Sequence, residues 1–275
     1  MDSVEHASGK GSTDENFPVG SHLIAKKHRP HVMAYYRFAR NADDVSDSAD
    51  LSDVEKIYRL DRMAAVLDGA PGDDAPSASA MRKSLLETGI DPAHCHDLLG
   101  AFRQDAVKLR YANWQELMDY CRQSAMPVGR YLLDLHGESR DTWPASDALC
   151  AALQVINHLQ DCQKDHRDLN RVYLPEEWLA SEGSKVAELT LSASTPGMRR
   201  CLDLCVAATR TLMDEARTLP AVVEDFGLRA ESSVIVNLAD RLVRKLAWQD
   251  PLAMRVKLGK SEILFAALSG LWRAL

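Results

Sequence analysis

The sequence has little of what a strand-rich, secreted, membrane-spanning or nucleic-acid-binding protein needs. Alternating Val/Ile/Thr runs are scarce, whereas apolar residues recur three and four positions apart in segment after segment, which is the period of amphipathic helices. An all-α fold is expected. The six cysteines, Cys95, Cys121, Cys150, Cys162, Cys201 and Cys205, include no CxxC pair. The opening residues hold no apolar core of the kind a secretory leader needs, so reduced thiols and a cytoplasmic protein are expected. No apolar run reaches the roughly 20 residues that cross a bilayer as a helix. Lys and Arg are scattered through a chain of net charge −7, which argues against a nucleic-acid partner. A GxGxxG dinucleotide fingerprint is also missing.

What is present is enough apolar residue, 46% of the chain, for a sizeable core. The first fifteen residues, MDSVEHASGKGSTDE, are polar and Gly/Ser-rich and read as a disordered lead-in, with residues 16–275 forming one domain. Breaks at Pro18, Pro71-Gly72 through Pro76, Asp91-Pro92, Trp143-Pro144, Leu174-Pro175, Pro196-Gly197 and Pro220 punctuate about eight helices. The last segment carries Leu264, Leu268, Leu271 and Leu275 on one helical stripe, near Lys257, Lys260 and Arg273. Such a stripe ordinarily faces a protein core, and its other use is contact with a membrane surface at the inner face.

Two polar stripes carry the chemistry. In a helix expected from about Arg29 to Asp47, residues Tyr36, Arg40, Asp43 and Asp47 are spaced 4, 3 and 4 apart and share a face. Ala34, Phe38, Ala42 and Val45 form a separate apolar stripe. A second helix, expected from about Ser146 to Asp165, repeats the pattern with Gln154, Asn157, Asp161 and Asp165, backed by Leu149, Ala152, Ile156 and Leu159. One reading is two ordinary solvated faces. Those usually mix Lys and Glu four apart, whereas short Asp residues are poor mid-helix formers. Two Asp four apart also repel each other unless a cation sits between them. Magnesium suits such sites, taking one or two carboxylates and completing its shell with water and phosphate oxygens. Diphosphate chemistry at a site in a helical bundle is the expectation. His94-Cys95-His96 offers metal-type ligands, but consecutive side chains diverge on a helix and incidental placement is expected. Cys201 and Cys205, four apart, read as packed thiols.

At these residues the sequence resembles the squalene and phytoene synthase family, which joins prenyl diphosphates head to head. The resemblance covers most of the chain. It is carried by YYRFARNADDVSD, residues 35–47, by QVINHLQDCQKDHRDLNRVYLP, residues 154–175, and by SAMPVGRYLLDLHG, residues 124–137. The last looks like the family's channel-lining helix, in which Gly129 allows close approach of a chain. ENFPVGSHLIAKKHRPHV and NHLQDC are most similar to the branch that converts presqualene diphosphate to hydroxysqualene on the way to squalene and hopanoids. Two departures stand out. Glu15-Asn16-Phe17 replaces the serine-rich phosphate-contacting start of phytoene-type members, and DCQKD puts Lys164 where many relatives carry an acid.

The resemblance implies a single-domain isoprenoid-synthase bundle around a central cavity, with the two DxxxD motifs facing each other across it. Asp43, Asp47, Asp161 and Asp165 then hold Mg2+. Asn16, Phe17, Arg40, Gly129, Gln154, Lys164 and Arg171 are implied substrate contacts, and Tyr36, Asn157 and Tyr173 line the site near the cation. Asp44, about 100° around the helix from Asp43, is either a supporting group or exposed. Presqualene diphosphate is the implied substrate, captured by water and without NADPH. Condensation of two prenyl diphosphates such as farnesyl diphosphate stays open, as does a silent homologue that assembles with neighbouring squalene-pathway enzymes.

Overall fold

The computed structural model describes residues 3–5 and 23–274, and its regular structure is helical. In chain order the described helices are α1 (Arg29–Asp47), α2 (Asp53–Leu67), α3 (Pro76–Thr88), α4 (Ala93–Val107), α5 (Trp114–Ser124), α6 (Met126–His136), α7 (Trp143–Leu169), α8 (Glu176–Ser181), α9 (Pro196–Ala216), α10 (Leu219–Val222), α11 (Phe226–Leu246) and α12 (Lys260–Ala274). Among the described residues there is no strand, only one isolated bridge between Arg110 and Val172. The all-α expectation holds.

Local signals explain the boundaries. Ser52, Asn113, Thr195 and Asp225 each accept a hydrogen bond from a backbone N–H in the first turn of the helix they precede, which satisfies donors left open there. Pro30, Pro76, Pro144 and Pro196 occupy first turns, where a missing N–H costs nothing. Pro144 therefore sits inside α7 instead of before it, and α7 runs three residues further upstream than expected. Gly89, at φ 72°, closes α3 in the left-handed conformation. Twelve helices are described against about eight expected, and two of the additional ones, α8 and α10, are too short to give a periodic signal of their own.

The chain forms two compact units, one of residues up to Lys108 with Pro127–Arg140, the other of Leu109–Met126 with Asp141–Leu275. The first unit packs α1 to α4 and α6 around Phe38, Val45, Leu60, Met63, Met81, Leu98, Leu99 and Tyr131, all essentially without solvent exposure. Tyr131 stacks on Tyr35 of α1 with ring centroids 4.1 Å apart, and its hydroxyl donates to the His31 carbonyl at 3.3 Å. Of the polar lead-in, residues 3–5 are described. Val4 is buried, and Glu5 accepts from the Ser77 N–H at 2.7 Å and hydroxyl at 2.6 Å, so it caps α3 where a carboxylate is favoured.

The second unit is organised on α7, whose Leu149, Ala152, Ile156 and Leu159 are buried as their spacing predicts. Cys201 and Cys205 of α9 are buried as well, as packed thiols. The last helix departs from the core reading of its leucine stripe. Leu264 and Leu268 point outward, and Ala266 and Gly270 form the packed side of α12.

Candidate active site

In the first unit the site residues gather at the end of α1. Asp43, Asp44 and Asp47 all fall in its last five positions, with no basic residue in the last turn. Carboxylates there meet the negative end of the helix dipole, so the sequence maintains an unfavourable arrangement. Arg40 offsets part of it. Its Nη2 and Nε donate to Asp44 Oδ1 at 2.7 and 3.0 Å, and Nη2 lies 3.2 Å from Asp43 Oδ2. Asp44 is thereby buried and paired, which settles it as a supporting group for Arg40.

Asp43 keeps a third of its side chain open, 34%, yet its carboxyl is pushed up to about 8. Loss of solvent is the largest cause and the Asp47 charge the next, with Asp105 and Asp44 adding to them and Arg40 opposing. Asp105, buried on α4, is a fourth carboxylate that the sequence reading missed. Its one visible signal is an acid on the apolar stripe of Leu98, Phe102 and Ala106. Tyr36, on the same face of α1, is half-buried.

In the second unit Gln154, Asn157, Asp161 and Asp165 lie half-buried along α7. Asn170 ends the helix at φ 53° and returns its N–H to the Asp165 and His166 carbonyls, a left-handed turn that Asn tolerates better than most residues. Arg110 fixes that turn, its Nη2 donating to Asn170 Oδ1 at 2.8 Å. The Val172 N–H then donates to the Leu109 carbonyl at 2.9 Å, and the reversed chain leaves Arg171 and Tyr173 buried.

Tyr173 is not alone. Its ring stacks on His158 of α7 with centroids 3.5 Å apart and planes 13° off parallel. Tyr111 and Tyr120 approach Tyr173 at 5.4 and 5.5 Å. Burial, reinforced by the Arg171 charge, pushes the His158 imidazole down to about 3, so it stays neutral at ordinary pH. Tyr111, Tyr120 and His158 escaped the sequence reading because rings distant in sequence meet only through the fold.

Other expected contacts fall less centrally. Lys164 is exposed, with Nζ 3.7 Å from Asp168, and Gly129 is half-buried in the first turn of α6. Asn16 and Phe17 lie outside the described residues. His94 and His96 diverge as expected, the first to Asp134 at 2.9 Å and the second to Asp68 at 2.8 Å. Among the described residues no three His, Cys, Asp or Glu side chains are grouped to hold a metal ion by themselves. Magnesium asks for less, one or two carboxylates beside water and phosphate. The crowded, cation-poor carboxylates at the end of α1 fit that donor set.

A helical scaffold carrying an Asp-x-x-x-Asp pair on each of two helices defines the class, that of helical enzymes with carboxylate-rich sites. The squalene/phytoene synthase family model matches residues 11–262, across both units. The hydroxysqualene synthase of Rhodopseudomonas palustris is 48% identical over 97% of this chain and 91% of its own. That of Sinorhizobium fredii is 48% identical over 91% and 86%. Among solved structures, squalene synthase HpnC from Alicyclobacillus acidocaldarius superposes with a TM-score of 0.72 at 29% identity, covering 82% of this chain and 85% of that one. The chain belongs to the squalene/phytoene synthase family, and it is an enzyme.

Proposed function

We propose that the protein converts presqualene diphosphate and water to hydroxysqualene and diphosphate, with magnesium. The observation that carries this reading is 48% identity, over nearly the full chain, to proteins named hydroxysqualene synthase. The geometry supports it at the level of chemistry. Asp43 and Asp47 of α1, and Asp161 and Asp165 of α7, are the residues that would hold the metal. Magnesium supplies Lewis-acid neutralisation of the charge that grows on the departing diphosphate.

The chain's own groups do the rest. Arg171, buried beside the aromatic stack, presents a planar fork suited to phosphate oxygens. Arg40 holds Asp44 and stands beside Asp43, so it is placed to move between carboxylate and diphosphate as charge arrives. Carbon–oxygen cleavage leaves a cation that must not meet another positive group. A neutral His158 satisfies that requirement, and the faces of Tyr173, Tyr120 and Tyr111 stabilise positive charge through their π electrons. Asn157 and Gln154 of α7 add amide dipoles, and Tyr36 of α1 carries a hydroxyl dipole of the kind that stabilises such charge. Capture of the cation by water forms the new carbon–oxygen bond and releases one proton.

The test is product analysis with purified protein, magnesium and either presqualene diphosphate or farnesyl diphosphate, each with and without NADPH. Hydroxysqualene from presqualene diphosphate without NADPH is expected. Squalene formed only with NADPH, or presqualene diphosphate made from farnesyl diphosphate alone, overturns the assignment in favour of condensation chemistry. Consumption of neither substrate points to a silent homologue. Asp161→Asn is expected to lower turnover by about 10³-fold or more while far-ultraviolet circular dichroism is unchanged.

A further inference from the structure

α12 carries its large apolar residues on the wrong side for a packed terminal helix. At about 100° per residue, Ala266 and Gly270 fall together on the side packed against α11. Ala266 is fully buried, and a Cβ on Gly270 would lie 2.7 Å from the Val234 Cα and 2.8 Å from its N. The opposite side presents Leu264, Phe265, Leu268 and Trp272, exposed by 62%, 61%, 59% and 78%. A roll of the helix cannot exchange the two sides, because α11 and α12 approach through the space of the missing Gly270 side chain. The apolar face is therefore held outward by the packing itself.

Charge says what covers it. Residues 241–273 contain seven basic and two acidic side chains, in a chain whose net charge is −7. Of the acids, Glu262 is bound by Lys245 at 2.8 Å, and Asp250 accepts from the Ser194 hydroxyl and N–H at 2.6 and 2.7 Å. Arg244, Arg255, Lys257 and Lys260 remain exposed, and the Arg241 guanidinium lies 4.8 Å from the Phe265 ring centroid. An apolar, aromatic face bordered by excess positive charge matches a surface that is apolar within and anionic at its rim.

We propose that α12 is an interfacial anchor that lays Leu264, Phe265, Leu268 and Trp272 into the acyl boundary of an anionic bilayer. The surrounding Lys and Arg side chains meet lipid phosphates. No described helix is long and apolar enough to cross a membrane, so α12 lies in the plane of the surface. A second copy is the poorer occupant, since a two-fold pairing would bring the same positive rim against itself. Trp272 suits an interface with one wet and one apolar side.

The experiment is co-sedimentation of the full chain with vesicles of phosphatidylcholine alone and of phosphatidylcholine with phosphatidylglycerol in equal parts. Binding to the anionic vesicles is expected to be at least about tenfold stronger and to weaken with salt. Leu264→Glu with Leu268→Glu should lower it by about tenfold or more, with circular dichroism and melting temperature unchanged because both side chains are exposed. Lys257→Glu with Lys260→Glu should remove the preference for anionic lipid. Failure to bind either vesicle, or equal binding by wild type and the leucine variant, overturns the proposal. So does a concentration-dependent doubling of mass in light scattering that the leucine variant abolishes, which would make the face a self-interface.

Discussion

Asp43 shows how function and stability pull apart at one residue. Loss of solvent and the neighbouring carboxylates push its carboxyl up to about 8 in the folded chain, from 3.8 for an exposed aspartate. Between those values the native state keeps a proton that the unfolded chain has released. The metal-free protein is therefore expected to lose stability as pH rises from about 4 to 8. Asp43→Asn removes the titrating group and leaves a neutral side chain of the same shape. In chelator, its melting temperature should match or exceed that of the wild type at pH 8, and the difference should shrink towards pH 4. Turnover should fall by about 10³-fold or more. Thermal melts across that range, run beside a product assay, read both; an asparagine variant less stable than wild type at pH 8 refutes the crowded-carboxylate account. The Asp43 and Asp47 pair was legible from spacing alone. Asp105, which adds to the crowding, was not, because one acid on an apolar stripe gains its meaning only when α4 packs on α1.

At the scale of the element, legibility depended on how many faces a helix offers. α1 offers one apolar stripe, Phe38, Ala42 and Val45, and its expected limits of Arg29 and Asp47 are the observed ones. α7 has the expected buried face, yet extends to Leu169, because Asn170 supplies the left-handed stop and Asp165 does not. α12 offers two faces at helical spacing, one of leucines and one of small residues. Hydrophobicity favours burying the leucines, and close backbone approach favours burying Ala266 and Gly270. Approach won. Gly270→Val tests that ordering, since the added Cβ meets Val234 main-chain atoms, which have no flexible end to yield. A loss of about 1 to 3 kcal/mol in urea unfolding is expected, as for overpacked sites, with faster hydrogen exchange along α12. A neutral outcome would mean that α12 does not rest on that contact.

At the scale of the whole molecule, the proposed reaction differs from its relatives in what reaches a cation, and composition and fold period carry no trace of that choice. In the proposed mechanism both DxxxD pairs serve ionisation, a step common to capture by water and by other groups. The groups that surround a cation decide its product, and the rings gathered around Tyr173 are uncharged, with the Arg171 guanidinium buried beside them. Water is the nucleophile of the proposed reaction, so the oxygen of the product should come from solvent and not from internal return of the diphosphate. Turnover of presqualene diphosphate in water enriched in oxygen-18 is expected to give hydroxysqualene labelled in proportion to the solvent, and diphosphate with no label, by mass spectrometry. Unlabelled alcohol would mean that the product's oxygen comes from the substrate's own diphosphate, and capture of the cation by water would no longer describe the chemistry of this chain.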